Sequence, residues 1–566
     1  MHTLLPSLTR VLTALAAAVL VLTLLPSAPA AAGSVYPGTQ YREEFFDMGD
    51  PTFTRLHADL LRDEDVPWTV EQPVILVVSP YTNHTTTAAS PLYGNPAGGG
   101  GMHERFFDFL DVTDAIEEGY TMVQVDLPGF GGSSGCNDWG GPVEQGAVKA
   151  AVEWAASQPW SNGRVGMLGK SYDAWTGLMG MAQDPIGLEA VISMEPVFSG
   201  YRYGYNNGVR FTNSVATPAL FSMIDATPGG YADSPEYVLN SIGTPYCYGL
   251  NIALQQQDSE DVAFWAVRDL VRQAAGSDIP LFLTQGFLET NTKVDAALDY
   301  WNAMDDSAGE NHMWIGQFDH VRGYEMQGER FAMGRSTFAA QAMSFLDEHL
   351  KGIEPTPATD FEAVAVQDNF GRYRAETAYP SADTTLLNTS LRSGTYSDGT
   401  GGGIHSVSQP LPHDVWLAGE PRFSASVTTT VPRGNITVLT YDIDEAAGTR
   451  TLINRGTSLI RGVGAQQVDI QMYAQDWVVE EGHRIGVEVR GTNSFWVHVP
   501  TGQTITVNDA DIALPFLTAD RTDFLDGEST PRLESHLAGN AADLGPIVTG
   551  NEVPFTLPAA IDTGAR

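Results

Sequence analysis

The sequence predicts an α/β protein in which a parallel β-sheet is followed by a separate β-rich domain. Short apolar segments rich in β-branched residues alternate with helical patterns from residue 73 to 320, which is typical of parallel strands joined by crossover helices. This alternation stops between residues 198 and 275 and then resumes, which indicates an insertion. After Lys351, prolines and a glycine run precede Thr/Val-rich segments, which indicate linkers and antiparallel strands.

Hydrophobic periodicity predicts the individual elements. A helix over residues 143–156 places Val148, Ala151, Val152 and Ala155 on one face, and a second helix over residues 172–182 directly follows a strand. The predicted strands of the parallel sheet cover residues 74–78, 121–125, 164–168, 190–194, 280–284 and 312–315. The predicted strands of the β-rich part include residues 422–429, 436–442, 467–473 and 484–490.

These patterns divide the chain into four parts. Residues 1–32 are predicted to be a signal peptide, and residues 33–198 and 276–354 an α/β domain. Residues 199–275 are predicted to form an inserted, mostly helical cap over the carboxyl edge of the sheet. Residues 355–566 are predicted to contain a linker and a jelly-roll β-sandwich.

The first residues are typical of an export signal. One basic residue, Arg10, precedes an apolar run over residues 11–25, and small residues follow at 28–32. The run is shorter than the roughly 20 residues that span a bilayer. We therefore expect a protein that is secreted and soluble after cleavage, with a retained anchor as the alternative.

The acidic composition argues against two classes of partner. The chain has 69 Asp and Glu residues against 30 Lys and Arg, which gives a formal net charge of −39. Such a polyanion repels phosphate backbones and anionic lipid. We therefore expect neither nucleic acid nor a membrane surface as a partner, and the sequence predicts no particular oligomeric state.

The two cysteines leave their pairing open. Cys136 and Cys247 are far apart in the sequence, which says nothing about their separation in space. A disulfide in an oxidising compartment and two independent buried thiols are therefore equal alternatives. Neither a CxxC pair nor a zinc-like Cys/His cluster occurs, and we expect no metal site.

The segment Gly169-Lys170-Ser171-Tyr172 indicates a nucleophilic serine. A predicted strand ends at Gly169 and a predicted helix begins near Tyr172, so Ser171 lies at a tight strand-to-helix turn. Such a turn holds the hydroxyl clear of the sheet, and the amino end of the helix favours negative charge that develops there. An ordinary Gly-x-Ser turn is the alternative interpretation of this segment alone.

Glu289 and His320 are the candidate partners of Ser171. A serine hydroxyl needs a histidine to take its proton and a carboxylate to orient that histidine, and in this kind of fold they follow in the order Ser, acid, His. Glu289 comes just beyond the predicted strand at 280–284, and His320 lies on the loop beyond the strand at 312–315. All three residues are therefore predicted at the same edge of the sheet.

These residues together resemble the Xaa-Pro dipeptidyl-peptidase and cocaine-esterase family of serine hydrolases. Gly169-Lys-Ser-Tyr-Asp-Ala174 is similar to the family's G-x-S-Y-x-G, with alanine in place of the last glycine, and Gly286-x-x-Glu289 is similar to its G-x-x-D. Asp126-Leu-Pro-Gly129 resembles the family's D-x-R-G, and residues 264–269 look like the peptidase branch. The resemblance extends from about residue 54 to 517 and implies an α/β-hydrolase core with a carboxyl-terminal jelly roll.

Two hydrogen-bond donors are expected to stabilise the oxyanion of the tetrahedral intermediate. One is the backbone N–H of Tyr172, which directly follows the nucleophile. The second is implied by the resemblance, because Ser79-Pro80-Tyr81-Thr82 is similar to the family's N-P-Y-D element. That resemblance assigns the second donor to the phenol of Tyr81.

Glu195, Phe198 and Tyr201 are the candidates for substrate binding. They follow the predicted strand at 190–194 and begin the predicted cap. An aromatic wall beside the serine would suit a proline ring, and a carboxylate would hold the free amino terminus of a peptide. The alternative interpretation is that the aromatic residues pack the cap onto the sheet, and the sequence favours it at least as much as substrate binding.

The sequence therefore predicts a secreted serine hydrolase that acts on a small peptide or ester and requires no cofactor. In the predicted mechanism His320 takes the proton of Ser171, Glu289 orients the imidazole, and an acyl-enzyme forms and is hydrolysed. An Xaa-Pro dipeptidyl-peptidase-like activity is favoured over a carboxylesterase of the cocaine-esterase type. A secreted binding protein whose hydrolase core has decayed is the non-enzyme alternative.

Overall fold

The structure is a computed structural model. It describes residues 36–51, 54–82, 102–217, 219–221, 245–273, 275–304, 310–356, 361–397, 402–430, 432–498 and 504–565. The predicted signal peptide, residues 1–32, lies outside the described residues.

The strands and helices of the described residues are numbered in chain order. The strands are β1 (Thr39–Asp47), β2 (Arg55–Asp63), β3 (Gln72–Ser79), β4 (Thr121–Asp126), β5 (Ser161–Lys170), β6 (Leu188–Met194), β7 (Tyr205–Asn206), β8 (Val209–Arg210), β9 (Leu281–Gly286), β10 (His312–Gly316), β11 (Met326–Gln327), β12 (Arg330–Phe331), β13 (Val364–Gln367), β14 (Tyr373–Glu376), β15 (Thr384–Ser390), β16 (Gly394–Ser397), β17 (Ile404–Val407), β18 (Val415–Gly419), β19 (Arg422–Thr429), β20 (Arg433–Asp444), β21 (Thr449–Arg461), β22 (Gly464–Gln471), β23 (Gln475–Val479), β24 (Arg484–Arg490) and β25 (Thr504–Leu517). The helices are α1 (Phe107–Thr113), α2 (Pro142–Ala156), α3 (Tyr172–Gln183), α4 (Gly200–Gly204), α5 (Pro245–Leu254), α6 (Ala263–Ala266), α7 (Leu270–Gln273), α8 (Ala297–Ala303), α9 (Phe338–Lys351), α10 (Pro531–Ala538) and α11 (Gly545–Val548), and a 3₁₀ turn covers Glu104–Phe106.

A ten-stranded sheet in the order β1-β2-β4-β3-β5-β6-β9-β10-β13-β14 organises the first part of the chain. The strands from β4 to β13 in that order pair in parallel. Antiparallel strands extend both edges, with β2 and β1 on one side and β14 on the other. Every residue of β3, β4 and β9 is buried, because apolar clusters cover both faces of the sheet.

The predicted elements of the parallel sheet are confirmed. The six predicted strands correspond to β3, β4, β5, β6, β9 and β10, and the two predicted helices correspond to α2 and α3. Because parallel strands run in the same direction, the residues that follow β5, β6, β9 and β10 reach the same edge of the sheet. This edge carries the candidate site.

Residues 199–275 lie between β6 and β9, which are neighbours in the sheet. Their described part contains the hairpin β7–β8 and the helices α4, α5, α6 and α7, most of which are a single turn long. Of these helices, α6 and α7 lie just before the chain returns to the sheet. The chain therefore leaves the sheet after β6 and returns to the neighbouring position at β9.

A β-rich region follows the parallel sheet. One sheet has the order β22-β19-β25-β18-β23, with β15 and β16 also paired to β25, and a second has the order β17-β24-β20-β21. The four strands predicted here correspond to β19, β20, β22 and β24. Side chains from both sheets, such as Phe423 and Val438, pack into one apolar core, so the two sheets form layers around a shared interior.

The predicted end of the α/β domain at residue 354 is wrong. β13 pairs in parallel with β10, and β14 pairs with β13, so the parallel sheet continues to Glu376. The prolines at 355 and 357 indicated a linker, and β13 has only four residues, all of them buried. A strand this short shows no alternation that sequence reasoning can detect.

Cys136 is disulfide-bonded. Of the two alternatives that the sequence left open, the structure therefore supports the disulfide. The chain has one other cysteine, Cys247, whose side chain lies outside the described part. None of the helices in the described ranges has the length and apolar character needed to cross a bilayer.

Candidate active site

Ser171 lies on the turn between β5 and α3, at the carboxyl edge of the sheet. Its backbone has φ +69° and ψ −120°, a conformation that a residue with a side chain adopts only under local constraint. The Ser171 N–H donates to the Met194 carbonyl at 2.9 Å, and the Trp175 N–H donates to the Ser171 carbonyl at 2.9 Å. These bonds fix the turn between the neighbouring strand β6 and the first turn of α3, as a nucleophile elbow requires.

Gly169 makes this turn sterically possible. A Cβ atom at position 169 would lie 2.2 Å from both the carbonyl carbon and the carbonyl oxygen of Asp173. The first turn of α3 therefore approaches the end of β5 so closely that no side chain fits between them. This close approach explains why a glycine lies two residues before the serine.

Glu289 and His320 are brought together from the loops after β9 and β10. His320 Nδ1 lies 2.5 Å from Glu289 Oε2, and the Asn291 N–H donates to the other carboxylate oxygen. Glu289 is 0% exposed, whereas the His320 side chain is 19% exposed. The imidazole therefore faces the cavity, and the carboxylate holds it from behind.

Glu289 is ionised despite its burial. Burial by itself raises the pKa of Glu289, but the charge and hydrogen bond of His320, the Asn291 N–H and the charge of Lys170 lower the pKa to about 2. A carboxylate that is charged at neutral pH accepts the Nδ1–H of the imidazole and stabilises the imidazolium when it forms.

Ser171 and His320 line one cavity of about 310 Å³. Within the described residues, the His320 side chain is hydrogen-bonded to Glu289 and not to Ser171, an arrangement that is common before substrate binds. Aromatic side chains form much of the wall, and two cations also line it. The aromatic and cationic lining residues are Tyr81, Trp139, Tyr172, Trp175, Tyr203, Phe221, Arg105 and Lys170. No Asp or Glu belongs to the described lining.

Tyr172 and Tyr81 lie in the wall beside Ser171. Tyr172 is the first residue of α3, where backbone N–H groups have no partner within the helix. The rings of Tyr81 and Tyr172 meet edge to face, with their centres 6.4 Å apart, and the Tyr81 N–H donates to Ser79 Oγ at 3.0 Å. The structure thus brings both residues predicted to supply oxyanion donors to the same wall.

Glu144 connects two parts of this wall. The Tyr172 hydroxyl donates to Glu144 Oε2 at 2.7 Å, and the N–H groups of Trp139 and Gly140 donate to the two oxygens of the same carboxyl group at 3.0 and 2.7 Å. Glu144 is fully buried in the first turn of α2. It therefore holds the loop that carries Trp139 against the residue that follows the nucleophile.

Glu195 does not line the cavity. Its carboxyl group therefore does not contact a substrate amine there, contrary to the prediction from the sequence. Its side chain is 0% exposed, and Oε2 accepts hydrogen bonds from Gln285 Nε2 at 3.1 Å and the Gly286 N–H at 3.2 Å. Its Oε1 has no hydrogen-bond partner among the described residues. One ligand atom each of Glu195, Glu289 and His320 lie within 4.8 Å of one another, which places Glu195 next to the catalytic candidates rather than at the wall.

Phe198 and Tyr201 also pack inside the protein and do not line the cavity. Phe198 contacts Tyr300 of α8, with ring centres 5.5 Å apart. Tyr201 stacks on Tyr205 at 5.4 Å, and its hydroxyl accepts a hydrogen bond from the Gly208 N–H at 2.8 Å. Phe198 thus packs against α8 of the sheet domain, and Tyr201 packs within the inserted segment.

Several lining residues were missed by sequence reasoning. Trp139 comes from the loop before α2, Arg105 from the 3₁₀ turn before α1, and Phe221 from the inserted segment. No periodicity marks these residues, since none follows a strand of the sheet. Among the missed residues, only Lys170 could have been identified from the sequence, because it directly precedes the predicted nucleophile Ser171.

Comparisons with known proteins agree with this fold. The family model described as X-Pro dipeptidyl-peptidase (S15 family) matches residues 50–322. A protein named "Putative Xaa-Pro dipeptidyl-peptidase" from Streptomyces avermitilis is 22% identical over 90% of this chain and 86% of its own length. The cocaine esterase of a Rhodococcus species is 24% identical over 62% of this chain and 63% of its own. A CocE/NonD family hydrolase structure from Staphylococcus aureus has a TM-score of 0.67 at 15% identity and covers 84% of this chain and 94% of that one.

These findings confirm the resemblance to the Xaa-Pro dipeptidyl-peptidase and cocaine-esterase family. The matched segment contains Ser171, Glu289 and His320. The chain is a hydrolase with an α/β-hydrolase-like fold and a large β-rich region.

Proposed function

We propose that this hydrolase is a secreted serine enzyme that cleaves its substrate through an acyl-enzyme on Ser171. The observation that carries the proposal is the arrangement at the sheet edge, where a serine on a strained turn shares a cavity with a histidine bound to a buried carboxylate. The leader pattern of residues 1–32 supports secretion. We further propose that the inserted segment acts as a cap and that the β-rich region is a jelly roll.

In the proposed mechanism, Ser171 attacks the acyl carbon while His320 takes its proton. Glu289 holds Nδ1 and stabilises the imidazolium, and the Tyr172 N–H and the Tyr81 hydroxyl stabilise the oxyanion. His320 then protonates the leaving group, and a water molecule activated by the same imidazole hydrolyses the acyl-enzyme. The pKa of Glu289, about 2, supports a carboxylate that stays ionised throughout the cycle.

An Xaa-Pro dipeptidyl-peptidase-like activity is the first candidate for the substrate class. The family model and the relative from Streptomyces avermitilis support it, and the wall formed by Trp139, Tyr203 and Phe221 suits a proline ring. A carboxylesterase is the second candidate. It is favoured by the absence of any carboxylate among the described lining residues, because a dipeptidyl-peptidase needs one to hold the free amine.

A fluorophosphonate probe tests the nucleophile directly. We expect the protein to be labelled at Ser171, the Ser171→Ala variant to remain unlabelled, and its turnover to fall by a factor of about 10⁴ or more. The surface variant Ser157→Ala is the matched control and should label as the unaltered protein does. Absence of labelling in a folded protein would reject the catalytic proposal and favour a decayed, binding-only core.

Turnover of an Ala-Pro anilide, with its amino group free or acetylated, separates the two substrate classes. A peptidase that recognises the free amine should lose most of its rate on acetylation. An esterase should cleave an aryl ester of similar size faster than either anilide, and acetylation should then have little effect.

A further inference from the structure

Two cationic side chains line the cavity beside Ser171. Arg105 and Lys170 both belong to the lining, while the described lining contains no carboxylate. The chain as a whole has only 30 Lys and Arg against 69 Asp and Glu. In such an acidic protein two cations and no acid at one cavity are not explained by composition, and they indicate a specific electrostatic role.

Arg105 already has a counterion. Its Nε donates to the fully buried carboxylate of Asp173, and its guanidinium lies 4.2 Å from the ring centre of Tyr81. Its Nη2 also donates to the Lys170 carbonyl at 3.1 Å. These contacts hold Arg105 in place and neutralise much of its charge, so its contribution is to fix the backbone of Lys170 through the hydrogen bond to the Lys170 carbonyl.

Lys170 is different, because its ammonium group has no ion pair and no hydrogen bond to any residue that the structure describes. Burial, with the nearby charge of Arg105, lowers the pKa of Lys170 to about 8, so the group is still mostly protonated at neutral pH. Among the charges that act on Lys170, those of Glu289 and Glu325 favour its protonated form. Glu289 already holds His320, and a partly buried cation without a direct ion pair is unfavourable. An anionic group of the substrate would relieve that penalty.

The position of Lys170 indicates which part of the substrate carries the anion. Arg322, two residues after His320, donates from Nη2 to the Arg105 carbonyl at 2.6 Å. Arg105 in turn donates from Nη2 to the Lys170 carbonyl at 3.1 Å, so Lys170 lies beside the loop that follows His320. In the proposed mechanism His320 protonates the leaving group, so the leaving group departs on this side of Ser171. An anion bound at Lys170 therefore belongs to the leaving group and not to the acyl group.

We propose that Lys170, supported by Arg105, binds a carboxylate on the leaving group of the substrate. The proposal deepens the proposed function and rests on it for the orientation of the substrate. In a peptide the anion is the terminal carboxylate of a short product, and in an ester it is a carboxylate on the alcohol part. The enzyme then prefers short substrates that end in a negative charge over amidated or longer ones.

Binding to the Ser171→Ala variant tests the proposal without any need for turnover. The peptide pair is Ala-Pro-Gly and its carboxyl-terminal amide, and the ester pair is 4-acetoxybenzoate and 4-acetoxybenzamide. A hydrogen bond between charged groups in a partly buried site corresponds to a tighter Kd by a factor of about 10 to 100. We expect at least one acid to bind about tenfold or more tightly than its amide.

Three additional variants, each combined with Ser171→Ala, assign this preference. Lys170→Gln should reduce the ratio of the two Kd values to about two or less, and Lys170→Arg should retain most of it. Lys149→Gln, at an exposed lysine that pairs with Glu153 on α2, is the matched control and should leave the ratio unchanged. If Lys170→Gln does not fold, 0.5 M salt should still weaken binding of the acid and not of the amide.

The outcomes separate the two possible sources of the carboxylate. Preference for the acid in the peptide pair alone supports a peptide leaving group, and preference in the ester pair alone supports a carboxylated alcohol. Equal binding of acid and amide in both pairs, or an undiminished preference in Lys170→Gln, overturns the proposal. Failure of the fluorophosphonate to label Ser171 rejects the proposed function instead, and the binding ratios remain interpretable in that case.

Discussion

Two buried carboxyl groups, Glu289 and Glu195, lie side by side beneath the cavity. The pKa of Glu289 is lowered and that of Glu195 is raised. They follow neighbouring strands of the sheet, β9 and β6, and both are fully buried. Burial raises the pKa of Glu289, but interactions chiefly with His320 lower it to about 2. Burial, together with repulsion from Glu289, raises the pKa of Glu195 well above its ordinary value. Two equally buried carboxyl groups thus have pKa shifts in opposite directions.

The hydrogen-bond partners explain this difference. Glu289 faces an imidazole that can carry a positive charge, whereas Glu195 faces two neutral donors, the Gln285 amide and the Gly286 N–H. Two carboxylates this close together do not both ionise readily. The one bound to His320 keeps its charge, whereas the raised pKa of Glu195 favours the protonated form. The site therefore contains one charged acid that orients the base and one neutral acid that supports the loop after β9.

Exchange of each carboxyl group for its amide should produce the largest contrast between the two residues. Glu289→Gln removes the negative charge and presents an amide to Nδ1, so the imidazole is held in the wrong tautomer. We expect kcat to fall by a factor of about 10³ to 10⁴. Glu195→Gln keeps the shape and the neutral state of the group, and we expect it to change kcat less than about threefold. Steady-state kinetics on the best aryl ester or anilide measure both effects.

The pair of variants is its own control, because each change replaces one buried carboxyl group by an amide of the same size. A large loss of kcat in Glu195→Gln would show that Glu195 is ionised and contributes charge to the reaction. A small loss in Glu289→Gln would remove Glu289 from the role proposed for it. Either result would break the assignment of one charged and one neutral acid.

Removal of the Glu195 carboxyl group should affect stability more than its exchange for an amide. Glu195→Leu leaves the Gln285 amide and the Gly286 N–H buried without an acceptor, at about 1 to 3 kcal/mol for each donor. We expect the free energy of unfolding to fall by about 2 to 6 kcal/mol, measured by urea denaturation at pH 5. Glu195→Gln should stay within about 1 kcal/mol of the unaltered protein, because the amide oxygen still accepts both hydrogen bonds. Equal destabilisation in the two variants would contradict a supporting role for these bonds.

The positions of Ser171, Glu289 and His320 were predictable, because each follows a strand whose place in a parallel sheet can be read from the alternation of the chain. The same reasoning predicted correctly that Glu195 lies near this edge. It did not predict which way the side chain turns. Glu195 has φ +54°, and its carboxyl group is buried against Gly286 instead of facing the cavity. The end of a strand predicts where a residue lies, but the direction of its side chain depends on the backbone conformation of that residue.

The cavity wall was far less predictable than the catalytic edge. Trp139 also has a positive φ, +53°, and depends on its N–H bond to Glu144, a contact that no sequence spacing signals. Phe221 and Tyr203 come from the inserted segment, whose short helices leave little periodicity to interpret. Such residues are placed by tertiary contacts, and so their roles emerge only from the folded structure.

The last expected contrast concerns how the free energy of unfolding depends on pH. The folded protein keeps a proton on Glu195 that the unfolded chain releases above its ordinary pKa of about 4.3. Glu195 therefore makes the folded state progressively less stable as pH rises from about 4.3 towards its raised folded pKa, by at most about 1.4 kcal/mol per pH unit. Glu195→Gln lacks this dependence, so its stability relative to the unaltered protein should increase between pH 4.5 and 7.5.

Glu289 should behave in the opposite way in the same urea titrations. Its folded pKa is lowered to about 2, so its stabilising contribution is fully present above about pH 4.3 and is lost as pH falls towards 2. The stability difference between Glu289→Gln and the unaltered protein should therefore shrink as pH falls from about 4.3 towards 2. If the Glu195→Gln curve instead paralleled that of Glu289→Gln, both carboxyl groups would be ionised in the folded protein. The difference between their hydrogen-bond partners would then not explain the charge states of Glu289 and Glu195.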